Sequence, residues 1–196
     1  MNKKYLIISG IVLFAIILWV NSVGTYNSII TKEEGVTAQW AQVENVYQRR
    51  ADLIPNLVET VKGYAGHEKE TLEGVIEARS KATSTTIDAG NLNAASLQQF
   101  QAAQDGLSSA LSRLMVVVER YPDLKANQNF LELQAQLEGT ENRISVERKK
   151  FNESAREYNT FIKKFPKNLI AGMFDFEKKD YFEAVAGSEK APEVKF

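Results

Sequence analysis

Between Val36 and Phe165 apolar side chains recur at spacings of three and four, the mark of helices that each bury one stripe. The first stripe runs through Val36, Trp40, Val43 and Tyr47, then Ile54, Leu57 or Val58, Val61 and Tyr64 or Ala65, and on to Leu72, Val75 or Ile76 and Arg79. Pro55 falls inside it. Because the phase is kept across the proline, one long helix kinked at Pro55 is expected rather than a reversal. Ser84 to Asn93, STTIDAGNLN, reads as a polar loop with capping residues before the next helix. A second stripe follows through Leu97, Phe100, Gln104, Leu107, Leu111, Leu114, Val118 and Tyr121, alternating three and four like a bundle seam. Tyr121-Pro122-Asp123 ends it. The third stripe takes Phe130, Leu133, Leu137, Glu141, Ile144, Arg148, Phe151, Ala155, Tyr158, Ile162 and Phe165, and stops at Pro166. A short apolar piece from Leu169 to Phe176 and a polar tail to Phe196, expected to be mobile, complete the chain.

The N-terminal run has a different pattern. Tyr5 to Val23, YLIISGIVLFAIILWVNSV, holds no charge and would rise roughly 28 Å as a helix, close to the hydrocarbon thickness of a bilayer. Lys3 and Lys4 precede it and Trp19 lies near its other end, which favours a retained anchor with a cytoplasmic N-terminus and the bundle outside, periplasmic or extracellular. A cleaved signal peptide is the competing reading, but its apolar region is about 7 to 15 residues and ends in small residues.

An all-α fold follows: an N-terminal transmembrane helix, then an elongated antiparallel bundle of three long helices, the first kinked near Pro55, and a short C-terminal helix. The three span about 50, 27 and 42 residues, or roughly 75, 40 and 63 Å, which predicts an up-down-up rod with the Tyr121-Pro122 turn near the membrane and the Ser84 loop at the far end. The organisation is a basic flank at 1–4, the span at 5–23, the bundle at 24–182 and a flexible tail at 183–196.

Arg50, Gln104, Glu141 and Arg148 stand where the stripes call for apolar residues. In an up-down-up rod the first and third helices run parallel, which brings Arg50, 14 residues past Val36, to the height of Glu141, 17 past Leu124. A buried Arg50 to Glu141 pair is the structural expectation. The alternative is that these charges line a groove for a partner.

Composition narrows the chemistry. The 196 residues carry 24 Lys+Arg, 25 Asp+Glu, one His and no Cys. The net charge of -1 gives no electrostatic reason to bind nucleic acid, and the missing cysteines exclude disulfides, thiolate metal sites and thiol nucleophiles. His67-Glu68-Lys69-Glu70-Thr71 opens like a zinc-peptidase helix motif, but Thr71 replaces the second histidine, so no metal and no cofactor are expected. Carboxylates are plentiful without a converging cleft, which reads as a solvated face rather than a hydrolase.

Several blocks together resemble the LemA family of bacterial membrane proteins. They are Tyr26-Asn27-Ser28, Lys32-Glu33-Glu34-Gly35-Val36, Trp40, and above all Tyr47-Gln48-Arg49-Arg50-Ala51-Asp52-Leu53-Ile54-Pro55-Asn56-Leu57-Val58. Arg120-Tyr121-Pro122, Gln136 to Ile144, Phe151-Asn152, Tyr158-Asn159 and Phe165-Pro166 agree in order and spacing. Phe151 departs from the family pattern, which more often has tyrosine before the asparagine. The resemblance implies one membrane anchor, a helical bundle and no established enzymatic activity. Members often occur beside membrane-bound zinc peptidases, which suggests such a peptidase or another envelope protein as partner.

The resulting expectation is a non-enzymatic, membrane-anchored scaffold or adaptor that works through helix faces and forms a homo-oligomer. A helical sensor-like module signalling through a partner is the alternative. Candidate interaction or polar-core residues are Trp40, Tyr47, Gln48, Arg49, Arg50, Asp52, Asn56, Glu141, Asn142, Arg143 and Arg148. Trp40 and Tyr47 are the best candidates for core, while Gln48, Arg49, Asn56 and Asn142 have less structural reason to be where they are.

Overall fold

The computed structural model describes residues 3–88 and 92–183, and among these every regular element is a helix. They are α1 (Lys3–Tyr64), α2 (Lys69–Ser84), α3 (Ala94–Val118), α4 (Pro122–Lys125), α5 (Gln128–Lys163) and α6 (Lys167–Met173). The all-α antiparallel bundle is therefore present, and α1, α3 and α5 are its long members. α1 alone has 62 residues, about 93 Å, and carries the apolar N-terminal run without a break into the bundle. From Ile7 to Val20 its large apolar residues are exposed, whereas burial against the bundle begins at Ile29.

The helices run in directions other than those the stripes suggested. The first stripe does not continue to Arg79 on one helix. α1 ends at Tyr64, residues 65–68 turn, and α2 folds back along it, which places the Arg79 side chain against the Ala51 carbonyl. Gly66 was the available signal: a Cβ there would lie 3.2 Å from the Lys62 carbonyl oxygen. The stripe concealed the turn because Leu72 and Val75 happen to keep the phase of Val61 and Ala65 across it.

With that extra reversal the path is up, down, up, down, and α5 runs antiparallel to α1. Side-chain contacts fix the ladder: Tyr64 meets Asn127, Arg50 meets Glu141, Gln39 meets Glu147 and Lys32 meets Glu157. The Tyr121-Pro122 turn accordingly sits at the far end from the apolar run, not beside it. There Glu68 accepts hydrogen bonds from Arg120 and from the Tyr121 hydroxyl, each at 3.0 Å, which ties the two far-end turns together and raises the Tyr121 pKa.

Pro55 lies inside α1, and its consequence is local. Proline has no N–H, so the carbonyl four residues earlier, on buried Ala51, loses its helical donor. The Arg79 Nε–H donates to that carbonyl at 2.7 Å and takes the donor's place. Arg79→Met should therefore cost about 1–3 kcal/mol, the usual loss for an orphaned buried acceptor. In a Pro55→Ala background, which supplies the missing N–H, the same change should cost much less. A thermal-unfolding double-mutant cycle measures this, and equal losses in both backgrounds would refute the substitution of one donor for the other.

The chain after α6 doubles back along α5. Asn159 accepts from the Lys179 N–H and donates to its carbonyl, at 2.9 and 2.8 Å, and Asn152 does the same to Phe182, both at 2.9 Å. Two asparagines seven residues apart thus replace a neighbouring strand's backbone. Residues up to 183 are pinned in this way, while the remainder of the expected flexible tail, 184–196, lies outside the described residues.

Candidate functional site

The core is divided. One apolar cluster, on the anchor side, centres on Trp40, whose indole ring meets those of Phe100, Phe151 and Phe182 at 5.3, 5.6 and 5.9 Å. The other, on the far side, gathers Ile54, Leu57, Val61, Leu107, Leu114 and Phe130. Between them lies a polar layer built on Arg50.

Arg50 is 2% exposed. Its Nη1 donates to Glu141 at 2.9 Å and to Ser108 at 3.1 Å, its Nη2 donates to the Gln104 side chain at 2.6 Å, and its guanidinium lies 5.1 Å from the Tyr47 ring centre. Gln104 in turn donates to the Ala82 carbonyl, near the end of α2. One guanidinium thus joins α1, α3 and α5, and through Gln104 it reaches α2. The expected Arg50 to Glu141 pair forms, but across an antiparallel ladder rather than between parallel helices, and only its basic member is buried. The Glu141 side chain is 61% exposed.

That exposure opens onto a groove. α3 and α5 stand apart, and Leu111, Ser112 and Met115 face Leu137 across a space of about 410 Å³, with Arg50 and Glu141 at one end. The two readings of the sequence, a structural pair and a charged groove lining, describe the same residues.

The other candidates separate by burial. Trp40 and Tyr47 are core, and burial pushes the Tyr47 pKa up despite nearby Arg148 and Arg50. Arg148 is not in the polar layer. It lies over the Phe182 ring at 4.6 Å and donates to the Glu183 carbonyl, so it caps the returning C-terminal segment. Gln48, Arg49, Asp52, Asn56, Asn142 and Arg143 are exposed. Gln48 donates to Asp52 at 2.7 Å and Arg49 reaches Gln136 at 3.5 Å, whereas the Asn56, Asn142 and Arg143 side chains make no hydrogen bond among the described residues. Reasoning from the stripes missed Asn152, Asn159 and Arg79, because each side chain serves a backbone group distant in sequence. Tyr158 beside the asparagine clamp is buried with no hydroxyl partner among the described residues, and desolvation raises its pKa to about 12.

No cluster of three or more His, Asp or Glu side chains that could hold a metal occurs among the described residues, and exposed His67 sits in the turn between α1 and α2.

Residues 39–196 match the LemA family. The chain belongs to the LemA family. It is 24% identical over 182 residues to Protein LemA of Metamycoplasma hominis, an alignment covering 93% of this chain and 80% of that one. It is also 28% identical over 176 residues to the magnetosome protein MamQ of Magnetospirillum gryphiswaldense, and 27% identical over 179 residues to MamQ 2 of Paramagnetospirillum magneticum. These alignments take in 80% and 81% of this chain but only 64% of each relative, so the chain spans under two thirds of the magnetosome proteins' length. Every regular element among its described residues is a helix, and the start of α1 is long and apolar enough to cross a membrane. Several polar residues in and beside the LemA-like blocks serve the architecture. Arg50 and Glu141 make the polar layer, Arg120 and Tyr121 tie the far-end turns, Asn127 caps α5, and Asn152 and Asn159 hold the C-terminal segment.

Proposed function

We propose that this LemA-family protein is a membrane-anchored scaffold or adaptor whose α3–α5 groove receives an apolar helix, from a second copy or from another envelope protein. The groove supports this reading: Leu111, Met115 and Leu137 leave an apolar channel on a face where two bundle helices do not close on each other. α1 adds the mechanical part, since an unbroken helix from bilayer to far end holds that channel at a set height and raises the effective concentration of anything tethered beside it. A membrane-bound zinc peptidase is the partner the family resemblance suggests. The proposed orientation puts the N-terminus in the cytoplasm and the bundle outside, in line with Lys3 and Lys4.

Chemical crosslinking in cells, followed by mild-detergent purification and mass spectrometry, tests the role. Crosslinks from the α3 and α5 edges of the groove to a second copy or to one partner are expected, and Leu137→Arg should abolish them in a chain that still folds with a cooperative melt. Recovery of the isolated monomer alone would count against both scaffold and adaptor.

A further inference from the structure

The end of the bundle nearest the anchor carries large apolar side chains that the fold does not cover. Phe165 is 80% exposed, Met173 72% and Phe174 53%. Phe165 belongs to the third apolar stripe by spacing, yet the described residues leave it exposed. These residues lie together in height. Continuing the α1–α5 ladder past Lys32 and Glu157 places Phe165 level with Gly24. The Phe174 ring packs 4.8 Å from that of Tyr26.

Tyr26 lies three residues beyond Val23, where the apolar run ends, a rise of about 4.5 Å. The headgroup layer on each side of a bilayer is about 5–7.5 Å thick, half the difference between a ~30 Å core and a ~40–45 Å whole. The exposed aromatic residues therefore fall within headgroup depth whenever α1 spans the bilayer.

Basic residues accompany them. Lys163 and Lys164 end α5 without an ion pair among the described residues, and Lys167 begins α6 with its ammonium over the Phe161 ring at 3.7 Å. Lys164, Lys167, Lys32 and Arg156 surround a groove of about 350 Å³ whose carboxylate, Glu157, is already met by Lys32 at 3.5 Å. The nearby carboxylates Glu33 and Asp180 are bonded to Lys179 and Lys178, which leaves Glu34, Asp175 and Glu177 among the opposing charges at this end.

We propose that this end of the bundle is a second, interfacial contact with the bilayer, in which Phe165, Met173 and Phe174 enter the headgroup layer and Lys163, Lys164 and Lys167 bind the phosphates of anionic phospholipids. Aromatic and long apolar side chains flanked by lysines suit that layer, because their rings tolerate the interface while the ammonium groups meet lipid phosphate. The bundle is then held against the membrane at two places, by α1 and by the α5–α6 corner. This contact does not depend on which partner the α3–α5 groove takes.

Membrane binding cannot test the idea, because α1 alone provides it; depth can. The chain has no cysteine, so Met173→Cys and Leu169→Cys each give a single fluorophore site that leaves Phe165 and Phe174 in place, and exposed Val116 on α3 gives a far-end control as Val116→Cys. The full chain is reconstituted at one copy per nanodisc, in phosphatidylcholine alone or with phosphatidylglycerol. Labels at 173 and 169 should be blue-shifted and quenched by headgroup-level lipid quenchers, more so with phosphatidylglycerol, while the label at 116 stays water-like. Replacing Lys163, Lys164 and Lys167 with serine should remove the phosphatidylglycerol-dependent part in a chain that still melts cooperatively. Labels at 173 and 169 as water-exposed as that at 116 would overturn the proposal. So would equal quenching in the two lipids, or shielding that arises only when two copies share a disc.

Discussion

Arg50→Met should lower the unfolding temperature of the full chain in detergent by roughly 6–12 °C, the shift that about 3 kcal/mol produces in a protein of this size. The Arg50 side chain is 3% exposed, and its bond to the Gln104 side chain at 2.6 Å is charge-assisted. Removing it leaves the carboxamide oxygen of a residue that is 6% exposed without its donor, in addition to the lost packing on Tyr47. Glu141→Gln should behave differently. With 61% of that side chain in water, the pair is a half-solvated one and its loss should cost at most about 1 kcal/mol. Arg50→Met combined with Gln104→Leu should recover part of the loss, since both buried polar partners then disappear together. Circular dichroism melts of the four proteins decide the matter. An Arg50→Met melt that coincides with that of Glu141→Gln would show that the buried end of the pair has no special weight.

The second large effect belongs to Phe182. Its ring closes the anchor-side core against Trp40 and Phe151 and carries the Arg148 guanidinium on its face. Truncation to alanine should cost about 3–5 kcal/mol, as for other buried phenylalanines. Because Phe182 also fills the space beneath the asparagine clamp, the change should free the returning segment, and trypsin should cut at Lys178 and Lys179 at concentrations that leave the unchanged chain whole. Asn152→Ala should produce the same cleavage with a smaller loss, about 1–2 kcal/mol, since it removes two hydrogen bonds and no ring. If removing everything from Glu177 onward left the melt unchanged, the segment would be an ornament on a core complete without it.

The scaffold reading and the interfacial contact place different demands on one molecule. The groove between α3 and α5 needs a free face well away from the lipid, whereas the α5–α6 corner needs the opposite end pressed to the headgroups. An unbroken α1 meets both, as it fixes the height of each along one axis.

Much of this protein can be read from residue spacing. Stripes of three and four name the helices and the face each one buries, a charge-free run long enough for a bilayer names the anchor, and the polar intruders on those stripes lead to Arg50, Gln104 and Glu141. Direction cannot be read in the same way. A helical stripe looks alike whether the next element continues or folds back, so the reversal at residues 65–68 stayed hidden while Leu72 and Val75 kept phase. The Arg50 to Glu141 pair was thus anticipated from a parallel arrangement that the fold does not have. The remaining assignments, Arg79 on the Ala51 carbonyl, Asn152 and Asn159 on a returning backbone, and Phe165 left bare beside the anchor, depend on which segment lies across from which. Packing settles that, because a hydrogen bond or a covered ring depends on distance in space, and spacing along a chain records only which face a residue is on.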